Sequence, residues 1–184
     1  MWLFWKIKIN KGENNVEQKI TETFVVEKIK EFLIAKQNGN WHEEKSKISD
    51  LHSHGADIVM TGGSKNGERF IIECKGKSYS KSANSANKEG WLNALGQIIT
   101  RMNTSRTIKS GTRKGEPNRA YKYGLGLCEM SAKVALRRIP IEIAKTLNLY
   151  IFSCNDEGKI EMFTPSNFGE KYDKKNNNKR CSNL

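Results

Sequence analysis

Apolar residues recur at helical spacing near the start of the chain and predict an amphipathic helix from about Val16 to Gln37. Its apolar arc consists of Val25, Val26, Ile29, Phe32 and Leu33. Glu22 projects within that arc, one turn ahead of the apolar residues, and a carboxylate on the buried side of a helix requires a partner. The alternative is that Glu22 lies near a helix end and reaches solvent. Gly39 and Asn40 predict the end of the helix.

Two extended runs, residues 55–60 and 70–77, flank a segment rich in Gly and Asn, and this pattern predicts a β-hairpin. Side chains alternate between the two faces of a strand, so the second run has one apolar face and one face that ends in two charges. The apolar face carries Phe70, Ile72 and Cys74, and the other carries Ile71, Glu73 and Lys75. The apolar face suits a core, whereas an ordinary buried strand does not tolerate the two charges.

The hairpin register decides where Asp57 lies. If the turn centres near Lys65, Val59 pairs with Ile71 and Thr61 with Arg69, and Asp57 then pairs with Glu73. A register that differs by two residues still leaves Asp57 on the face that carries Glu73. The sequence therefore predicts two carboxylates that face each other on one side of the sheet.

Polar and small residues from Ser78 to Asn87 predict a mobile loop after the hairpin. A second helix is predicted from about Lys88 to Met102. Its apolar face is formed by Trp91, Leu92, Leu95, Ile98, Ile99 and Met102. Gln97 and Arg101, four residues apart, are predicted to lie together on the opposite face.

The second half of the chain predicts an irregular segment, then alternating strands and helices. The strands are predicted at Tyr123 to Glu129, Leu149 to Cys154 and, as an edge strand, Lys159 to Phe163; the helices are predicted at Ser131 to Arg138 and Ile141 to Leu147. This order predicts an α/β domain with a mixed central β-sheet flanked by helices. We expect one domain over residues 1–170, with a strand or interface arm at Trp2 to Ile9 and a disordered basic tail over residues 171–184.

A formal net charge of +12 and a pI near 9.6 in 184 residues indicate a polyanionic partner. Nucleic acid is the first candidate, and an anionic membrane surface is the second. The membrane is disfavoured because the sequence has neither a transmembrane run nor a basic amphipathic helix with an exposed apolar face. The four cysteines have no zinc-site spacing, which favours reduced thiols and a cytoplasmic location.

Positive charge concentrates between Thr104 and Lys122, where six Lys and Arg residues accompany a single Glu. Long loops rich in Lys and Arg bind backbone phosphates without reading sequence, so we expect this loop to contact nucleic acid. The alternative is a solvated charged loop. The residues predicted to contact nucleic acid are Lys77, Arg101, Arg113 and Lys114.

The predicted pair of Asp57 and Glu73 indicates a metal site. Facing carboxylates repel each other and destabilise a sheet, whereas a divalent cation between them turns that repulsion into coordination. Oxygen ligands favour Mg²⁺, Mn²⁺ or Ca²⁺ over zinc. Lys75, two residues beyond Glu73, is placed to stabilise charge that develops on a phosphate. The alternative is a surface hairpin that carries an ordinary Glu–Lys pair.

Asp57 followed on the partner strand by Glu73-Cys74-Lys75 resembles the motif of the PD-(D/E)xK nuclease superfamily, which includes many restriction endonucleases and Holliday-junction resolvases. Ala56 stands where the family name has Pro, but only the Asp is a ligand. The resemblance implies a restriction-endonuclease-like fold and Mg²⁺-dependent (or Mn²⁺-dependent) hydrolysis of DNA. It also implies that Asp57, Glu73 and the main-chain carbonyl of Cys74 hold the metal and that Lys75 helps to activate water.

The same resemblance implies catalytic roles for Glu22 on the first helix and for Gln97 on the second. We therefore expect a restriction-type DNA endonuclease that acts as a homodimer, because two strands must be cut. The alternatives are a Holliday-junction-resolvase-like nuclease that selects DNA by its structure, and a nucleic-acid-binding module of the same fold that does not cleave.

Overall fold

The structure, a computed structural model, describes residues 19–43, 56–62, 68–79, 83–102 and 121–168. The helices in these ranges are α1 (Glu22–Ile34), α2 (Ala83–Arg101), α3 (Glu129–Arg138) and α4 (Ile141–Leu147). The strands are β1 (His42–Glu43), β2 (Ile58–Gly62), β3 (Glu68–Lys75), β4 (Tyr121–Cys128), β5 (Leu149–Cys154) and β6 (Ile160–Phe163). The predicted strand at Trp2 to Ile9 and the predicted tail lie outside the described residues.

All six strands form one mixed sheet in the order β1 to β6. The central strands β3, β4 and β5 are parallel, whereas β1, β2 and β6 each run antiparallel to their neighbour. Parallel neighbouring strands require a crossover connection. Along the chain, α2 connects β3 to β4, and α3 and α4 connect β4 to β5. The predicted α/β class, with a mixed sheet flanked by helices, is confirmed for the described residues, and β6 is the predicted edge strand.

Each face of the sheet is covered by its own helices. Phe70, Ile72 and Cys74 on one face of β3 belong to a hydrophobic cluster that includes Val25 and Ile29 of α1. The opposite face contributes a second cluster, built with residues of α2, α3 and α4; its members include Ile71, Ala94, Ile98, Leu125, Leu127, Ala132 and Ala144. The predicted division of β3 into two faces is confirmed, and Glu73 therefore lies on the face that α2 covers.

The predicted hairpin register is also confirmed. Val59 pairs with Ile71, and Thr61 pairs with Arg69. The pairing ends at Ile58, the residue that directly follows Asp57 in the chain, and the partner of Ile58 is Ile72. Asp57 lies one residue before β2, beside the end of β3 that carries Glu73 and Lys75.

The start of α1 differs from the prediction. The helix begins at Glu22 because the side chain of Thr21 caps it, accepting a hydrogen bond from the backbone N–H of Phe24 at 3.1 Å. Residues 19–21 are not helical. Glu22 is thus the first residue of the helix, where its charge interacts favourably with the helix dipole.

The prediction for α2 was wrong in two respects. The helix begins at Ala83, so the last five residues of the predicted loop are helical. Asn87, the last of them, is buried. The predicted apolar face was wrong in part, because Leu92 and Ile99 are half-exposed and Ala94, outside the predicted face, is buried; Ile98 is buried as predicted, and Trp91, Leu95 and Met102 pack against the core. The small side chain of Ala94 on the buried side lets the helix lie close to the sheet, and Leu92 and Ile99 are then turned towards solvent.

Over the described parts of the chain, no helix is both long enough and apolar enough to cross a membrane.

Candidate active site

Four separate elements bring charged side chains together near the carboxyl end of β3. These residues are Glu22 at the start of α1, Asp57 just before β2, Glu73 and Lys75 on β3, and Arg101 at the end of α2. Three carboxylates face two cations, so the group retains one negative charge. A local negative charge in a strongly basic chain is a feature that requires a chemical reason.

Asp57 is fixed against the backbone of β3. Its Oδ2 accepts a hydrogen bond from the backbone N–H of Cys74 at 2.6 Å. A carboxylate that accepts a backbone N–H in this way continues the β2–β3 ladder by one side chain. The other carboxylate oxygen of Asp57 takes no part in this bond, so Asp57 keeps an oxygen that is suited to a cation.

Glu73 is buried, with a relative exposure of 1%. The Nε of Arg101 donates a hydrogen bond to its Oε1 at 2.8 Å. Burial raises the pKa of Glu73, the hydrogen bond from Arg101 opposes this rise, and the nearby Asp57 carboxylate adds to it. Glu73 is therefore a carboxylate held in an unfavourable place by one specific partner, which is typical of functional sites.

Lys75 and Glu22 form a second ion pair, with 3.0 Å between Nζ of Lys75 and Oε2 of Glu22. The pair depends on Gly76, because a Cβ there would lie only 2.4 Å from the backbone nitrogen of Glu22. The absence of a side chain at Gly76 lets the start of α1 lie directly against the end of β3. Glu22 is half-exposed (48%) at the helix end, so both readings of its position hold in part: it reaches solvent and it contacts the site.

All three carboxylates affect the pKa of the Cys74 thiol. Burial raises its pKa well above the ordinary value, and Asp57, Glu22 and Glu73 raise it further, in that order. The thiol is therefore protonated and lies in the core on the α1 face.

The N–H and C=O of one strand residue point to the same side, so the carbonyl of Cys74 points toward Asp57 as its N–H does.

The segment that follows β3 is anchored to the residues just before α1 and to α2. The backbone N–H of Lys77 donates to the carbonyl oxygen of Ile20 at 2.7 Å. The side chain of the buried Asn87 brackets Ser78, accepting from its N–H and donating from Nδ2 to its carbonyl at 3.0 Å. These bonds hold Lys77 beside the site, with its Nζ 3.6 Å from Oδ1 of the exposed Asp156.

Of the predicted site residues, Asp57, Glu73, Lys75 and Glu22 are brought together. Gln97 is exposed on α2, one turn before Arg101. Arg101 was predicted on the face of α2 turned away from the apolar residues, and that placement was wrong because its side chain reaches the buried Glu73. Arg113 and Lys114, with most of the basic loop, lie outside the described residues.

The pairing of Arg101 with Glu73 was not predicted from the sequence. The signal was present in the series Gly90, Ala94, Ile98 and Arg101, whose spacing of three and four residues places them on one helix face. Including the small residues Gly90 and Ala94 with Ile98 in the buried face places Arg101 on the side of the helix that faces the sheet. Asn87, three residues before Gly90, lies on the same face. Its hydrogen bonds with the backbone of Ser78 were not predicted for the same reason.

Within the residues that the structure describes, no group of three or more His, Cys, Asp or Glu side chains lies close enough together to hold a metal ion. Mg²⁺ usually takes only one or two protein carboxylates and completes its shell with water and substrate phosphate. Asp57, Glu73 and the carbonyl of Cys74 offer oxygen donors only, which is the donor chemistry that such an ion requires.

Comparisons with known proteins do not add to this description: no family model, no curated protein and no solved structure matches the chain.

Proposed function

We propose that the protein is a divalent-metal-dependent DNA endonuclease of the restriction type. The observation that carries this proposal is the meeting of Asp57, Glu73 and Lys75 at one end of β3, with Glu73 buried and its pKa raised. A structural ion pair at a sheet edge gives no reason to bury Glu73 close to a second carboxylate. A hard cation bound by both gives such a reason.

The donor set fits Mg²⁺ or Mn²⁺. Asp57, Glu73 and the carbonyl of Cys74 would hold the ion, and the protonated Cys74 thiol lies on the other face of the strand. When bound, such an ion neutralises charge on a phosphate and lowers the pKa of a water molecule. It would offset the repulsion between Glu73 and Asp57 that raises the pKa of Glu73.

Lys75 is the residue that would act on the substrate. Its ammonium group reaches the end of the sheet, where it can donate hydrogen bonds to a non-bridging phosphate oxygen as negative charge develops there. Glu22 holds this ammonium at 3.0 Å and thereby orients it. From α2, the Nε of Arg101 donates a hydrogen bond to Oε1 of Glu73 at 2.8 Å and thereby orients this carboxylate.

The arrangement of elements around the site supports a restriction-endonuclease-like fold as part of this proposal. Helix α1 packs on one face of the sheet and α2 on the other, and the acidic residues lie at one end of the central strand β3. A mixed central sheet with helices on both faces and an acidic site at its end is the architecture that the family resemblance implies.

A second candidate is a nucleic-acid-binding module that does not cleave. It is favoured by the two ion pairs, because Arg101 already engages Glu73 and Lys75 already engages Glu22. Such pairing would suffice to stabilise the residues without a metal. The third candidate is a resolvase-like nuclease that would use the same residues on branched DNA, and both nuclease candidates imply a homodimer.

A cleavage assay with matched variants tests the proposal. Purified protein with Mg²⁺ or Mn²⁺ is expected to nick or cut supercoiled, linear or four-way-junction DNA, and EDTA is expected to stop the reaction. Lys75→Ala should lower the cutting rate by at least about 100-fold, since it removes a group that stabilises the transition state. DNA binding, measured by fluorescence anisotropy, should persist in this variant.

Lys145→Ala on α4 is the matched control, because it removes one exposed positive charge from an element remote from β3. It should cut as the wild type does. DNA binding without cleavage of any of these substrates would favour the module, and cleavage of the four-way junction alone would favour the resolvase.

A further inference from the structure

Tyr79, four residues beyond Lys75, presents an aromatic ring at the surface beside the site. Its relative exposure is 49%, although its hydroxyl is fixed. The backbone N–H of Ile20 donates a hydrogen bond to the Tyr79 oxygen at 2.6 Å. A large aromatic side chain that is half-exposed and tied at its far end offers its ring rather than its hydroxyl to a ligand.

The backbone beneath the ring is held on both sides. Lys77 bonds to Ile20, and Asn87 brackets Ser78, as described above. Asn87 is itself buried in α2, with a relative exposure of 5%. Little conformational freedom remains for Tyr79 to lose when a ligand binds, and this pre-organisation favours binding.

Two lysines share this ring. Nζ of Lys19 lies 5.7 Å and Nζ of Lys77 lies 5.9 Å from its centroid, within cation–π distance. Two ammonium groups gathered around one ring repel each other, and Asp156 is the carboxylate that approaches Lys77, at 3.6 Å. An anion placed between the lysines would relieve that repulsion, and the ring beside it suits a flat apolar group.

We propose that Tyr79 is a stacking platform for an unpaired DNA base and that Lys19 and Lys77 bind the phosphates on either side of that base. An aromatic face flanked by cations is the arrangement that binds single-stranded nucleic acid. In a continuous duplex the faces of each base are covered by its neighbours, so the platform requires a single strand, an overhang or a frayed end.

The position of Tyr79 links this platform to the proposed cleavage site. At about 3.3 Å per residue, its Cα lies within about 13 Å of that of Lys75, a distance that a DNA strand spans with a few nucleotides. This inference rests on the proposed nuclease function and deepens it, since it assigns DNA with a single-stranded segment as the preferred substrate class.

Fluorescence anisotropy in EDTA tests the platform without any cleavage. The probes are a labelled poly(dT) strand and a labelled blunt duplex of equal length. Tyr79→Ala should weaken binding of the single strand by about 5- to 150-fold, the range that corresponds to one stacked base, and duplex binding by less than about twofold. Tyr79→Phe keeps the ring and should retain most of the affinity for the single strand.

Lys19→Ala and Lys77→Ala should each weaken single-strand binding and reduce its dependence on salt. Ile143→Ala on α4 is the control, because it removes a comparably exposed side chain from an element that does not adjoin the platform. Unchanged single-strand binding in Tyr79→Ala, or an equal loss for both probes, would overturn the proposal.

Photocrosslinking gives a readout on the wild-type protein and does not depend on how the variants fold. A poly(dT) strand with a single 5-iodouracil is irradiated with the protein, and the modified residue is identified by mass spectrometry. The proposal predicts a crosslink at Tyr79, and crosslinks confined to other aromatic residues would contradict it. Because neither assay uses a metal, the platform can fail while DNA is still cut, and the nuclease can fail while the platform holds.

Discussion

Glu73 concentrates the chemistry of this chain in one residue. It is buried on the face that α2 covers, bonded to Arg101, and close enough to Asp57 for the second carboxylate to raise its pKa. Arg101 keeps the folded protein tolerant of this buried charge. In the proposed metal-bound state the ion would take over part of that task.

The titration of Glu73 has a defined consequence for stability. Because its pKa is raised in the folded state, the folded protein holds a proton at pH values where the unfolded chain has released it. The free energy of unfolding therefore falls as pH rises from the ordinary carboxyl pKa through the raised one, by about 1.4 kcal/mol for each unit between them.

Glu73→Gln removes this titration and keeps an oxygen that can accept the hydrogen bond from Arg101. In EDTA, the stability of the variant relative to wild type should increase as pH rises through that window. Urea unfolding at a series of pH values measures this difference, and Glu142→Gln on α4 controls for the loss of any exposed carboxylate. A wild type with no such loss over this window, and with a gain relative to Glu73→Gln as pH rises towards the ordinary carboxyl pKa, would show that the pKa of Glu73 is lowered instead.

At the scale of elements, the site depends on how closely α1 and α2 approach β3. Alternation along β3 and the hairpin register were sufficient to predict which face carries Glu73 and which residues lie opposite it. The orientation of α2 was not predictable in the same way, because Gly90 and Ala94 contribute little hydrophobicity yet decide the contact with the sheet. Pairings between distant segments, such as Ile20 with Tyr79, leave no periodic signal in the sequence.

Gly76→Ala tests the close approach of α1. The new Cβ would meet the backbone of Thr21 and Glu22 at 2.4 Å, so the start of α1 must shift. We expect the variant to lose about 1–3 kcal/mol of stability, as overpacked sites do, and to lose the contact between Glu22 and Lys75. Thermal and urea unfolding measure the first effect.

Gly96→Ala on α2 is the matched control, since a Cβ there meets nothing within 4 Å. It should stabilise the protein by about 0.5–1 kcal/mol, because Ala favours a helix more than Gly does. Equal effects of the two substitutions would mean that the backbone at Gly76 has room for a side chain.

At the scale of the whole molecule, a chain with a net charge of +12 surrounds a site with a net negative charge. The overall field attracts a polyanion, whereas the site itself repels each phosphate. In the proposed metal-bound state a divalent cation would resolve this opposition, so the proposed function depends on metal binding above all. The composition of the chain predicted its attraction for a polyanion, and the register of the β2–β3 hairpin predicted the carboxylates that repel phosphate.

Calorimetric titration of Mn²⁺ into the metal-free protein measures this binding. We expect saturable binding in the wild type, weakened at least about tenfold in Asp57→Asn and in Glu73→Gln, and retained in Glu142→Gln. Asn at position 57 can still accept the hydrogen bond from Cys74, so a loss of binding there reports the lost charge rather than a lost fold. A wild type that binds no Mn²⁺, or four proteins that bind it equally, would rule out a metal site formed by Asp57 and Glu73.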